Sequence, residues 1–173
     1  MSSRNLATIA RSYESINRPR LERLLQSYRS LPSLQDVIRK AAYALNENGK
    51  RHRHQARIKR TAILAAYDTL RRADADISSA PDFDSLYSLI EARTLAIDGI
   101  GPLYVYDAAL RIGAYLHIEP AAVYIHAGTR KGALRLGIPA DAQAVTSESL
   151  PSEFARFKAY EIEDLLCIYK DRL

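Results

Sequence analysis

Six cations fall within eleven residues of this 173-residue chain, at Lys50, Arg51, Arg53, Arg57, Lys59 and Arg60, with His52 and His54 between them. No acid occurs between Glu47 and Asp68, so the run has no acidic i,i+4 partner on a helix. Without it, the rest of the chain is close to neutral. A cationic patch on a near-neutral body suits a polyanion, because neutralising phosphates releases their condensed counterions. The bland alternative is a solvated helix face that happens to be basic.

A second pattern is Ile97-Asp98-Gly99-Ile100-Gly101-Pro102. A tight Gly-hydrophobic-Gly turn between two helices needs glycine for two reasons. One position takes a backbone conformation costly for a side chain, and both let a phosphate approach main-chain N–H groups. Ile100 plugs such a turn into the core. Pro102 is favourable at a helix start, whose positive dipole end then faces the same phosphate. Gly128-Thr129-Arg130-Lys131-Gly132 offers either a second phosphate site or a helix C-terminal turn with basic residues answering the dipole. It lacks the spacing of a nucleotide-binding P-loop. Tyr104, Tyr106 and Tyr115 lie close enough to the turn to stack on bases.

Gly99-Ile100-Gly101-Pro102, with amphipathic segments on both sides, resembles the helix-hairpin-helix element over about Leu89 to Leu116. Val105 departs from it, since a small residue usually stands four places after the second glycine. The likeness extends towards the helix-hairpin-helix DNA glycosylases of the endonuclease III type, where a catalytic aspartate follows the hairpin by some 20–25 residues. The segment Val123 to Lys131 lies at that separation, with His126 near the aspartate position. Pro102, Leu103 and Tyr104 stand where lyase members carry a lysine nucleophile. The resemblance therefore implies a DNA-binding relative without the family's catalytic groups. It allows a monovalent cation at the hairpin and no other cofactor. His126 and Lys131 are the only candidates for catalysis. A carboxylate would stabilise positive charge at the sugar and an amine would attack it; a histidine serves best as a structural group.

The elements that must position these residues read as helices throughout, in one all-α multi-helix bundle spanning 1–173. Pro19 opens a first helix with Leu21, Leu24, Leu25 and Tyr28 on one stripe, ended by Pro32. Ser33 caps a second, through Val37, Ile38, Ala41 and Leu45 to Asn48-Gly49. The basic run enters a long helix with Ile58, Ala62, Ala65 and Thr69 on one face, joined by Leu64 and Leu70. Asp82 or Asp84 caps the helix that leads into the hairpin, which occupies about 84–117. Leu103, Tyr106, Leu110 and Gly113 mark the inner face of the helix after it. A short helix runs through Val123 and Ile125, a loop covers about 138–151, and a docked amphipathic helix covers about 152–171. On that last helix Glu161, Glu163 and Asp164 read as a solvated acidic face, or as partners of the basic stretch, rather than a metal site.

Composition narrows the classes further. No apolar run approaches the roughly 18 residues that span a bilayer, and Met-Ser-Ser-Arg-Asn-Leu has no apolar signal-peptide core. A cytoplasmic location and no membrane partner are the expectation. The single cysteine, Cys167, leaves no internal disulfide and no thiolate metal cluster, and reads as a small buried hydrophobe. The expected function is non-catalytic, largely sequence-independent DNA binding. Gly99, Ile100 and Gly101 hold a phosphate; Arg51, Arg53, Arg57, Lys59 and Arg60 supply the footprint; Thr129, Arg130 and Lys131 add contacts. Two readings stay open beside it: a divergent DNA glycosylase or lyase acting on damaged or modified bases, and a protein-interaction module such as one half of a defence or toxin–antitoxin pair.

Overall fold

The first helix begins well before Pro19. In the computed structural model, which describes residues 3–173, α1 (Ser3–Ser12) continues through a π-helical turn (Tyr13–Asn17) into α2 (Arg18–Arg29). The wide turn has a local cause. Pro19 has no N–H for the carbonyl four residues earlier, and its ring crowds that carbonyl. The proline thus sits inside a longer helical segment instead of opening it.

Ser33 does cap α3 (Leu34–Ala42), accepting the Asp36 N–H at 3.1 Å. The helix stops at Ala42, short of Asn48-Gly49, because Ala44 turns left-handed at φ 54°. The next helix, α4 (Arg60–Arg71), starts only where the basic run ends. Residues 50–59 form a loop with one 3-10 turn at Arg53–Gln55, so the expected basic helix is not there. Like charges without acidic partners oppose helix formation, and no side chain caps α4 at Lys59. The buried face of α4 is Ala62, Ile63, Ala66 and Leu70, while Leu64 is exposed. That is a rotation from the expected stripe, set by packing on α3 and on the helix at Phe83–Thr94.

After the short α5 (Asp74–Ser78), Asp82 accepts the Ser85 N–H at 2.8 Å and opens α6 (Phe83–Thr94). Then α7 (Pro102–Leu116) follows the 95–101 turn. Most of α7 is buried, as expected of a helix that is largely apolar. Strand β1 (Val123–Tyr124) replaces the expected short helix, pairing antiparallel with β2 (Ala144–Val145) inside the 138–151 segment. Val123 and Ile125 both point into the core with Tyr124 between them, a two-residue alternation that branched side chains favour. Gly128 to Gly132 lies within α8 (Ala127–Arg135), at its N-terminal end and not in a C-terminal turn. The final helix, α9 (Ala159–Ile168), is shorter than 152–171 and preceded by a 3-10 turn at Ser152–Phe154.

These elements make two compact units, residues 1–22 with 120–173 and residues 23–119. In the first, Leu6, Ile9, Tyr13, Phe154, Phe157, Ile162 and Leu165 share a core, with Tyr13 and Phe157 edge to face at 5.4 Å. In the second, α7 is the central element against α3 and α6. No helix among the described residues is long and apolar enough to cross a membrane.

Candidate nucleic-acid interface

The turn between α6 and α7 is built on short backbone bonds. The Ile97 N–H reaches Thr94 O at 3.0 Å, and the Ile100 N–H reaches Ile97 O at 2.9 Å. Closing the chain this tightly puts Gly99 at φ +88°, a region costly for any side chain. Ile100 is buried and anchors the turn. Gly101 is different: its backbone is extended at φ −127° and a Cβ there would meet nothing within 4 Å. Pro102 occupies the first helical position. No backbone carbonyl among the described residues takes the N–H of Gly99, Gly101 or Leu103. Three backbone donors without a carbonyl partner therefore lie within a few residues of the start of a 15-residue helix whose dipole is positive there.

The basic loop lies beside this turn. Gly99 approaches Ala62 near the start of α4, and Lys59 Nζ lies 3.7 Å from Asp98 Oδ2. Both carboxylate and ammonium of that pair are exposed, so it contributes little to stability. The loop is fastened to α7 by a polar network. Asp107 Oδ2 accepts from Gln55 Nε2 at 2.6 Å and from Arg111 Nη2 at 3.1 Å, and lies 2.9 Å from His54 Nε2. Arg111 Nη1 also donates to Gln55 Oε1 at 3.2 Å. Arg111 and Gln55 are almost fully buried. Burial pushes the Asp107 carboxyl up, but Arg111 and His54 outweigh it and hold the group below its ordinary range. Beside them, burial and then Arg111 drive His52 down to about 4, which leaves its imidazole neutral.

With the loop so fastened, its free cations face outward. Arg51 Nη1 donates to Ile58 O at 3.2 Å and helps shape the loop. Arg53 and Arg57 are exposed, have no ion-pair partner among the described residues, and line with His54 an open depression of about 480 Å³. Arg60 is exposed at the first residue of α4. Thus Gly99, Ile100, Gly101, Arg51, Arg53, Arg57, Lys59 and Arg60 come together within one unit.

Thr129, Arg130, Lys131 and His126 belong to the other unit, and each is occupied. His126 caps α8: its Nδ1 accepts the Gly128 N–H at 3.2 Å, while Thr129 Oγ1 accepts the His126 N–H at 3.0 Å. Since Nδ1 accepts, the neutral ring carries its proton on Nε2, which donates to Glu163 Oε1 at 2.6 Å. Arg130 donates to the carbonyls of Ala140, Ala142 and Ile125, pinning the 138–151 segment. Lys131 pairs with Asp171 and holds that carboxyl below its ordinary range. At Gly132 α8 and α9 pack closely, since a Cβ there would lie 2.5 Å from Leu166 O. Gly132→Ala is expected to lose about 1–3 kcal/mol in chemical denaturation, the usual cost of overpacking against backbone.

The acidic residues of α9 are not a solvated face. Glu161 and Glu163 are both buried. Glu161 Oε1 takes Arg18 Nε at 2.7 Å and its Oε2 takes the Lys158 N–H at 2.9 Å, while Glu163 holds His126. Cys167 is half-buried rather than buried. Tyr104 and Tyr106 are buried, which removes both as stacking platforms. The Tyr104 hydroxyl instead donates to Ala42 O at 2.8 Å. Among the described residues no group of three or more His, Cys, Asp or Glu side chains is placed to hold a metal ion. The residues that sequence reasoning missed are Asp107, Arg111 and Gln55. Their signal is an acid and a base four apart on an otherwise apolar helix, a spacing that places both on one buried face. Comparison of the chain with protein-family models, curated proteins and solved structures returns no match.

Proposed function

We propose that the chain is a non-catalytic DNA-binding protein that grips the phosphate backbone largely without regard to sequence. In this reading α6, the 95–101 turn and α7 act as a helix-hairpin-helix element. The free amides of Gly99, Gly101 and Leu103 hold one phosphate, while Arg53, Arg57 and Arg60 neutralise its neighbours. The observation that carries the reading is the juxtaposition of the uncapped start of α7 with the outward-facing cations of the 50–60 loop. A monovalent cation at the turn is compatible with it and has no separate role. DNA is the partner, and Thr129, Arg130 and Lys131 fall outside the interface because protein groups already occupy them.

Neither alternative has an observation of its own. His126 has both ring nitrogens engaged and Lys131 is ion-paired, so no bond-breaking step is assigned to them. A protein-interaction role would have to use the same outward-facing cations against an acidic partner, and no separate surface favours it.

Gly101→Val separates binding from folding. No strain is introduced at φ −127°, and loss of the N-cap preference costs about 1 kcal/mol or less. The side chain would nevertheless stand between a phosphate and the amides. Fluorescence anisotropy with a labelled duplex of about 20 base pairs is expected to show an affinity that falls steeply with salt, and a loss of about tenfold or more for Gly101→Val. Absence of any binding at low salt would rule the proposal out.

A further inference from the structure

Behind the basic loop lies a cleft of about 510 Å³, lined by Leu31, Tyr43, Leu45, Asn46 and Glu47 together with residues of α3. Its size falls within the roughly 300–1,000 Å³ range of small-ligand sites, and its walls are mainly carbon. The cations of α3 at its edge are already matched. Lys40 Nζ donates to Ser27 O at 2.8 Å and Ser27 Oγ at 2.7 Å, and sits over the Tyr28 ring. Arg39 pairs with Asp36 at 3.2 Å. Those cations therefore leave no strong demand for an anion inside the cleft.

Two polar groups are left open. Asn46 Oδ1 accepts the Asn48 and Lys50 N–H groups at 2.9 and 3.0 Å, which fixes the amide while its Nδ2 meets no acceptor among the described residues. Glu47 is exposed and its carboxylate accepts no hydrogen bond from them, although its charge acts on Lys40 at the cleft edge. One wall is an aromatic ring, Tyr43, half-buried and braced by Tyr67 at 5.5 Å. At the rim the chain turns back on itself: Asn46 N–H reaches Lys50 O at 2.8 Å, and Leu45 pairs with Arg51. The first cations of the basic run are thus the return strand of the hairpin that walls the cleft.

A flat apolar face, one donor and one acceptor, with cations a residue away, match the chemistry of a nucleotide. We infer that this cleft receives an unpaired base of single-stranded DNA whose phosphates lie along Lys50 and the basic loop. The inference rests on the DNA-binding reading above. Tyr43 stacks on the base, and the Glu47 carboxylate accepts from an exocyclic amine, which favours cytosine over thymine.

The test compares a labelled DNA strand of about 12 nucleotides with a base-free deoxyribose-phosphate strand of equal length, at one salt concentration. The base-bearing strand is expected to bind about tenfold more tightly, because stacking is worth a factor of that order for each base. Tyr43→Ala should remove that advantage while leaving the base-free strand unchanged, which also reports that the loop is intact. Tyr43→Phe should keep it. With homopolymers, oligo-dC should bind several-fold better than oligo-dT, and Glu47→Gln, at an exposed side chain, should even them. Equal affinity for the two strands overturns the cleft assignment and leaves phosphate binding standing. So does a Tyr43→Ala loss that is the same on both strands, or an unchanged preference in both Tyr43→Ala and Glu47→Gln. No binding to either strand while the duplex still binds overturns the cleft assignment alone, and no binding to strand or duplex overturns the cleft and the DNA-binding reading together.

Discussion

Replacing Arg53 and Arg57 together by glutamate is expected to weaken duplex binding by on the order of 100-fold at about 0.1 M salt. The two arginines are exposed and pair with no acid among the described residues, so nothing there uses their charge. Each substitution removes an attraction and adds a repulsion. The slope of log affinity against log salt should also fall by about one for each phosphate that is no longer neutralised, hence by about two. Because both side chains leave the core untouched, stability should change by less than about 1 kcal/mol. An affinity within about twofold of wild type would mean that DNA does not lie along this loop. Reversing Lys131, which is already paired with Asp171, should have little effect on the same measurement.

How legible this surface is in the sequence depends on how local each determinant is. Ser33 and Asp82 are readable as caps because the N–H each accepts lies three residues on, at Asp36 and Ser85. Pro102 is readable for the same reason, since its fixed φ suits the first turn of a helix. The basic run is readable as charge but not as shape. Its loop is held by Tyr28 Oη donating to Leu45 O at 2.6 Å and by Asp107 accepting from Gln55, contacts 17 and 52 residues apart. Tertiary bonds of that kind override a helical period that spacing alone suggests. The acids of α9 are hidden in the same way. Glu161 meets Arg18 across 143 residues and Glu163 meets His126 across 37, so nothing nearby distinguishes them from surface acids. Gly101 shows the converse. Its conformation does not require glycine, so a glycine there bears on what approaches the turn and not on how the chain folds through it.

The largest loss of stability is expected from Asp107→Ala. Arg111 is only 3% exposed in its side chain, and Asp107 is its one anionic partner within the network. Removing the carboxylate leaves a buried guanidinium with Gln55 alone, a situation that costs about 3–5 kcal/mol. Urea denaturation at about pH 7 should show a loss of at least about 3 kcal/mol. The acid dependence follows from the sign of the shift. Since the folded carboxyl titrates below its ordinary value of 3.8, its contribution is complete above about pH 4 and is lost as the pH falls through the folded value. The gap between wild type and Asp107→Ala should therefore close below about pH 4, in the direction of the less stable variant. An unchanged urea midpoint would show that the guanidinium finds solvent or another partner. The same carboxylate also accepts from Gln55 and lies against His54, so its removal frees the loop that carries Arg53 and Arg57. Trypsin should then cut at those arginines faster than in wild type, and duplex affinity should fall even though no cation has been removed. Loss of stability without faster cleavage would separate the two roles, placing the network in the core of α7 and leaving the loop to be held by Tyr28 and Arg51.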